Sequence, residues 1–203
     1  MKKELKLHII AVTAFVVFIV LGLACASSSN VISAAPQQRS LGDRLVLAAN
    51  SGSETEVRQL LTDGADVNSR ATFGASNTYR ITPLMNAVVG KNLRIVRLLT
   101  EYGADLDLQD SNGMTALIHA VLHKNTGIVE YLIKSGANLD IQDNETLTAL
   151  LYAVLDESSD ITIVKYLVDG GANITVRDNM DKIAADYALR FGKMEIYNYL
   201  VKR

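Results

Sequence analysis

The stretch that decides the fold is ITPLMNA at residues 81–87, which returns as MTALIHA at residues 114–120 and as LTALLYA at residues 147–153. The threonines of the three copies, Thr82, Thr115 and Thr148, recur at a constant interval. A second pattern keeps the same phase, since GADVN, GADLD, GANLD and GANIT begin at positions 64, 103, 136 and 171, with longer intervals at the first and last steps. A period of about 33 residues predicts a solenoid of stacked supersecondary units.

Each copy of the pattern predicts two short helices joined by a polar turn. The threonine is the expected N-cap, whose hydroxyl accepts from a free backbone N–H, and Pro83 suits the first helical position because it lacks that N–H. Apolar runs such as IVRLLTEY predict a second helix that ends at Gly103 or Gly136 in a left-handed cap. Asp110-Ser111-Asn112-Gly113 then predicts a hairpin turn that leads to the next unit.

Together these motifs resemble the ankyrin repeat family over residues 41–203. The resemblance implies an all-α solenoid of about five stacked helix-turn-helix units with hairpin loops, at 41–71, 72–110, 111–143, 144–178 and 179–203. Asp43 stands where the first unit would have its threonine, so it is the expected N-cap there. The two end units are expected to act as caps. The histidine usual in T-P-L-H is replaced by Met85, Ile118 or Leu151, so its hydrogen bonds must be absent or replaced.

Two insertions interrupt the regular spacing. Six extra residues lie in the hairpin between the first two units, and two lie between the helices of the fourth unit, within LDESSDIT. Insertions at the hairpin tips of a solenoid usually lie on its binding face. The segment Phe73–Tyr79 is therefore a candidate contact, although drift in a permissive loop explains it equally well.

Residues 1–24 have the pattern of an export signal. Lys2, Lys3 and Lys6 precede the segment Ile9–Ala26, which contains no charged side chain. Residues 25–40 follow as a polar tract of the kind that serves as a flexible tether. Whether the apolar run is cleaved or retained, the lysines stay in the cytoplasm and the chain that follows the run is exported.

Three fates of this run remain open. Ala24-Cys25 fits the end of a bacterial lipoprotein signal, although Gly22 and Leu23 depart from it, and this predicts a lipid on Cys25. Cleavage after Ala26 and an uncleaved membrane anchor are the alternatives. The tether favours lipidation, which would place the domain in the periplasm, anchored to the outer membrane.

Composition argues against several classes of function. Removing residues 1–24 takes away three of the 20 basic and one of the 22 acidic side chains, and the remaining 17 and 21 give no reason to expect a nucleic-acid partner. Cys25 is the only cysteine, and no catalytic motif occurs, so we expect neither an enzyme nor a cofactor. His119 and His123 lie one helical turn apart but lack a third ligand, so no metal is expected. His119 is instead expected to be a partly exposed groove residue.

What remains is a surface, and the resemblance implies that a partner lies against the hairpin tips and the ends of the first helices. Ile81, Met114 and Leu147 recur at the interval of the repeat and form an apolar row that either anchors a partner or is half-buried in every repeat. The predicted partner-binding residues are Phe73, Tyr79, Arg80, Ile81, Ser111, Asn112, Met114, His123, Asn144, Glu145, Leu147, Asp156, Asn179 and Met180.

The sequence therefore predicts a non-catalytic, monomeric protein-binding module in the bacterial envelope. Family analogy suggests an immunity protein, inhibitor or accessory factor for an exported toxin or enzyme. The alternative is a structural scaffold that links two envelope components, which needs two binding faces rather than one.

Overall fold

The residues that the structure describes, 40–71, 80–156 and 161–203, contain ten short α-helices in five consecutive pairs. In this computed structural model the first helices of the pairs are α1 (Leu41–Ser51), α3 (Pro83–Val89), α5 (Ala116–Leu122), α7 (Ala149–Leu155) and α9 (Ala184–Arg190). The second helices are α2 (Glu54–Thr62), α4 (Leu93–Glu101), α6 (Thr126–Lys134), α8 (Ile161–Asp169) and α10 (Met194–Leu200). The described residues form no strand beyond an isolated bridge between Ala71 and Ile81, so the all-α prediction is confirmed.

The helices form two layers. Each first helix contacts the first helix of the neighbouring pair, and the second helices contact one another in the same order. Because the two members of a pair are antiparallel, the hairpins that join successive pairs lie at one end of the helices. The short turns inside the pairs lie at the other end.

The core consists of columns of side chains that repeat from unit to unit. Leu84, Leu117 and Leu150 are buried on successive first helices. On the second helices the buried columns are Val57, Val96, Val129 and Val164, and Leu60, Leu99, Leu132 and Leu167. Burying one such side chain contributes about 1.5–3 kcal/mol, and each column is buried only where neighbouring units stack.

Threonine caps begin the three central first helices, as the sequence predicts. The hydroxyl oxygens of Thr82, Thr115 and Thr148 accept from the N–H groups three residues further on, at 3.2–3.3 Å. The prediction that Asp43 caps the first unit is wrong. Helix α1 starts earlier, at Leu41, and its cap is Ser40, whose hydroxyl accepts from the Asp43 N–H at 3.0 Å.

At the turn end, polar side chains tie the second pair to the first and the last pair to the fourth. The Asn92 amide, at the start of α4, donates to the carbonyl oxygen of Asn50 at 2.8 Å, near the end of α1. Lys193, at the start of α10, donates to the carbonyl oxygen of Val154 at 2.7 Å and also to that of Asp156. A cation is favourable there because the carbonyls at the C-terminal end of α7 carry a partial negative charge.

The left-handed glycine caps are confirmed and generate the first prediction. Gly136 has φ +87° and follows α6, whereas Gly127 lies in the first turn of α6, where a Cβ would lie 3.8 Å from Asn125 Oδ1, an ordinary contact. Gly136→Ala should lower the free energy of unfolding by about 1 kcal/mol, because a Cβ disfavours the left-handed region. Gly127→Ala should raise it by up to about 1 kcal/mol, because alanine is the better helix former. Urea denaturation of both variants tests this, and equal effects of the same sign would contradict the assigned helix end.

Candidate protein-binding surface

Three successive hairpins are built around an aspartate. Oδ1 of Asp110 accepts from the backbone N–H groups of Asn112 and Met114, at 2.8 and 2.9 Å. Asp143 and Asp178 make the same two bonds to the residues two and four positions further on. Each hairpin is therefore closed by its own side chain before any partner arrives.

The second carboxylate oxygen of each aspartate meets a side chain on the following first helix. His119 Nε2 lies 3.0 Å from Asp110 Oδ2, and the Tyr152 hydroxyl donates to Asp143 Oδ2 at 2.6 Å. Tyr187 donates to Asp178 in the same way. The two residues of each pair are nine positions apart in sequence, and their contact ties the hairpin to its helix. The histidine of T-P-L-H, which this chain lacks, would otherwise be expected to share that role.

His119 is consequently buried, with 3% of its surface exposed, and the prediction of a partly exposed groove residue is wrong. A side chain at this position is buried when it reaches the aspartate of the hairpin. The residue types of the repeat alone do not reveal whether it does. The signal was nevertheless present, since an aspartate is followed nine residues later by histidine or tyrosine in three successive units.

The electrostatics of these pairs suit a structural role. Burial raises the pKa of Asp143, while the hydrogen bonds from Tyr152 and the hairpin backbone oppose that rise. Burial, followed by the hydrogen bond to Asp143, raises the pKa of Tyr152 far above its ordinary value, and Tyr187 behaves similarly beside Asp178. The phenols therefore keep their protons at neutral pH and act as hydrogen-bond donors.

A ladder of side-chain to backbone bonds joins successive hairpin bases. Asp105 Oδ1 accepts from the Asp107 N–H two residues further on, and Asp107 Oδ1 accepts from the Asn138 N–H of the next unit at 2.8 Å. The same kind of bond between units links Asn68 to Asp105 and Asp140 to Asn173. The G-A-D/N segments therefore fix the distance between neighbouring hairpins as well as ending the helices.

Glutamine amides cross-link the hairpins further. Gln109 Nε2 donates to the carbonyl oxygens of Gly113 at 2.7 Å and of Gln142 at 3.1 Å. Gln142 repeats this pattern toward Thr146 and Arg177. Because each amide bridges two backbone atoms, the row of tips is held in a defined arrangement.

The predicted tip residues divide by exposure. Arg80, Asn144, Glu145, Asn179 and Met180 are exposed, and Ser111, Asn112 and Leu147 are half-buried. Ile81 and Met114 are only 8% and 5% exposed, so the structure contradicts their assignment as accessible anchors. Their side chains are buried where each hairpin enters its helix, which is the second of the two interpretations offered for the apolar row.

At the ends of the first helices, His123 is half-buried and Asp156 forms an ion pair with Lys124 at 2.9 Å. Burial, with a smaller contribution from His119 and Lys91, lowers the pKa of His123 to about 4. The His123 imidazole is therefore neutral at pH 7 and offers a partner hydrogen bonds rather than a charge.

Exposed apolar side chains are concentrated in the last helix pair and its hairpin. Met180 at the hairpin tip is 45% exposed, and Phe191 at the end of α9 is 39% exposed. Phe191 stacks on Tyr187, with ring centres 6.2 Å apart, and the Lys193 ammonium lies 5.6 Å from its ring centre. Accessible aromatic and methionine side chains are typical of interface anchors, and Phe191 lies at the end of a first helix, where the resemblance to ankyrin repeats implied a partner.

Several predictions lie outside the described residues, namely the signal peptide, Cys25, the tether up to residue 39, Phe73 and Tyr79. In the part of the chain that the structure describes, no helix is both long and apolar enough to cross a membrane. The same residues contain no group of three histidine, cysteine or carboxylate side chains placed to hold a metal ion.

Paired helices, hairpins closed by aspartate and buried columns that cross unit boundaries define a helical repeat solenoid. The sequence profile of ankyrin repeats, described as three copies, matches residues 45–143 and 127–203. The chain belongs to the ankyrin repeat family. It is also 40% identical over 70 residues to a Rickettsia bellii (strain RML369-C) protein named as a putative ankyrin repeat protein. That match covers 34% of this chain and 27% of the relative.

Ankyrin repeats indicate a module for protein–protein interaction. Proteins of this family are generally binding modules rather than catalysts. The ability of this surface to bind a protein depends on its accessible side chains and on the rigidity of its hairpins.

The buried Asp–Tyr pairs generate the second prediction. Tyr152→Phe leaves a buried carboxylate oxygen without its donor and should lower the free energy of unfolding by about 1–3 kcal/mol. The matched control is Tyr199→Phe, which removes a 2.7 Å bond from the Tyr199 hydroxyl to the exposed Asp169 and should cost less than about 0.5 kcal/mol. Equal losses in urea denaturation would show that burial of the Asp143–Tyr152 pair does not matter.

Proposed function

We propose that this protein is a non-catalytic binding module of the bacterial envelope that holds a protein partner against its hairpin tips and the ends of its first helices. The observation that carries the proposal is the row of hairpins, which are closed by Asp110, Asp143 and Asp178 and linked through Gln109 and Gln142. Since the tips are already ordered, association costs little conformational entropy.

The chemistry of the surface changes along the row. The middle hairpins offer polar groups, with Asn144 and Glu145 exposed at one tip. The last unit offers Met180 and Phe191, which supply exposed apolar area. A partner that presents an apolar side chain to the last unit and hydrogen-bonding groups to the middle hairpins would match this arrangement.

The proposed location follows from the amino terminus. A basic start, an apolar run and Cys25 support export and lipid attachment, with residues 25–40 as a tether. In that location the partner would be another envelope or exported protein. Family analogy supports an immunity, inhibitor or accessory role toward an exported toxin or enzyme.

Site-specific photocrosslinking in the native host tests the binding surface. A photoreactive phenylalanine at position 145 or 180 should give an adduct of one defined mass. The same residue at position 59 or 101, exposed on the second helices α2 and α4, should not give that adduct. In a second step, Met180→Glu should reduce the adduct formed from position 145, because it places a charge in the apolar part of the surface. Adducts of the same mass from all four positions would contradict the proposed face.

Intact mass of the protein extracted from its own membranes tests the location. We expect a chain that begins at Cys25 and carries acyl groups, and Cys25→Ala should lose them. A chain that begins at Ser27 without lipid would identify a soluble exported protein instead. A chain that retains Met1 would identify an uncleaved anchor.

A further inference from the structure

A groove with a basic rim lies at the turn end of the first two units, away from the hairpins. It has a volume of about 670 Å³ and is lined by Gly52 and by Glu54 at the start of α2, together with the turn before α4 and the first residues of that helix. Its lining includes Lys91, Arg94 and Arg97, and Leu93 contributes apolar area. All three basic residues are exposed.

The groove has an excess of positive charge. Its one acidic lining residue, Glu54, is already engaged, because its Oε1 accepts from Nε and Nη2 of Arg58 at 3.1 and 2.8 Å. In the described part of the chain, Lys91, Arg94 and Arg97 form no ion pair with a carboxylate. Basic side chains at equivalent positions of other units are paired, as Arg58 is with Glu54 and Lys124 with Asp156.

This concentration of charge is specific to the second unit. Arg94 lies two residues before the buried valine of its helix, and Arg97 directly follows that valine. The residues at the Arg94 position in the other units are Thr55, Gly127, Thr162 and Glu195. Those at the Arg97 position are Arg58, Glu130, Lys165 and Asn198. The repeat pattern therefore does not require the two arginines together.

The local geometry orders the groove for a negatively charged chain. The Arg97 guanidinium carbon lies 5.1 Å from the centre of the Tyr131 ring, which limits the conformations of that side chain. Lys91 has φ +56° in the tight turn that precedes α4. The Asn92 side chain does not cap α4, so the partial positive charge at the helix start adds to that of the basic side chains.

We propose that this groove is a second docking site, which binds an acidic segment rich in aspartate and glutamate from a protein partner. Charge complementarity identifies the occupant, since an extended acidic chain places carboxylates beside three cations and its carbon atoms over the apolar lining. The site lies at the opposite end of the helices from the hairpin tips. A protein with both surfaces occupied would join two components.

The test measures binding of a fluorescein-labelled octaglutamate peptide to the full-length protein in neutral detergent, by fluorescence anisotropy at low salt. The double variant Arg94→Glu, Arg97→Glu should weaken binding by about tenfold or more, because it reverses two charges at the rim. The control is Arg44→Glu, Lys202→Glu, which changes the net charge by the same amount at two exposed residues away from the groove and should leave the affinity within about twofold. Thermal unfolding of both variants by circular dichroism verifies that each remains folded.

Three outcomes would overturn the proposal. Equal weakening in the two double variants would show that only net charge attracts the peptide. Absence of binding by the unmodified protein would remove the site. Tighter binding of inorganic pyrophosphate than of octaglutamate in a competition experiment would identify a phosphate site instead. None of these outcomes depends on crosslinking from positions 145 and 180, so the groove and the hairpin surface can fail separately.

Discussion

Stacking is the constraint on which the structure depends, because a pair of such short helices cannot bury its apolar side chains alone. Val96 and Leu99, for example, are buried because the second helices of neighbouring units lie against one another. The threonine caps and the left-handed glycines allow this stacking, because they start and end the helices at equivalent positions in successive units. One misplaced helix end would therefore disturb the packing on both of its sides.

Stacking alone would leave the hairpins free to move, and a separate set of polar contacts orders them. The buried Asp143–Tyr152 pair ties a hairpin to its helix, and the Asp107–Asn138 bond ties neighbouring hairpins together. These bonds are made in the free protein, which reduces the entropy lost on binding. A helical repeat of this type therefore separates stability, which comes from the apolar columns, from recognition, which takes place on a rigid polar edge.

Much of the fold could be predicted from the sequence because its determinants are local. A threonine cap or a glycine with positive φ acts within a few residues, so its spacing alone located helices such as α5 and α7. The candidate surface was harder to predict, because exposure depends on neighbours. His119 was predicted to be partly exposed, and it is buried by its contact with Asp110, which forms only when the hairpin folds back on its helix. For Ile81 and Met114 the sequence left partner contact and partial burial open, and both are buried.

By itself, the sequence determined the family, the period and the ends of the central helices, because a pattern that recurs at a fixed interval leaves few ways to bury the same apolar positions. Only the tertiary structure decided which side chains remain at the surface and which basic groups lack a carboxylate partner. Phe191 is exposed at the end of α9, and Arg94 and Arg97 line the same groove beside a glutamate that is already paired. The groove arises between units, where Glu54 of the first unit lies beside the start of α4 in the second, and no repeat read on its own contains it.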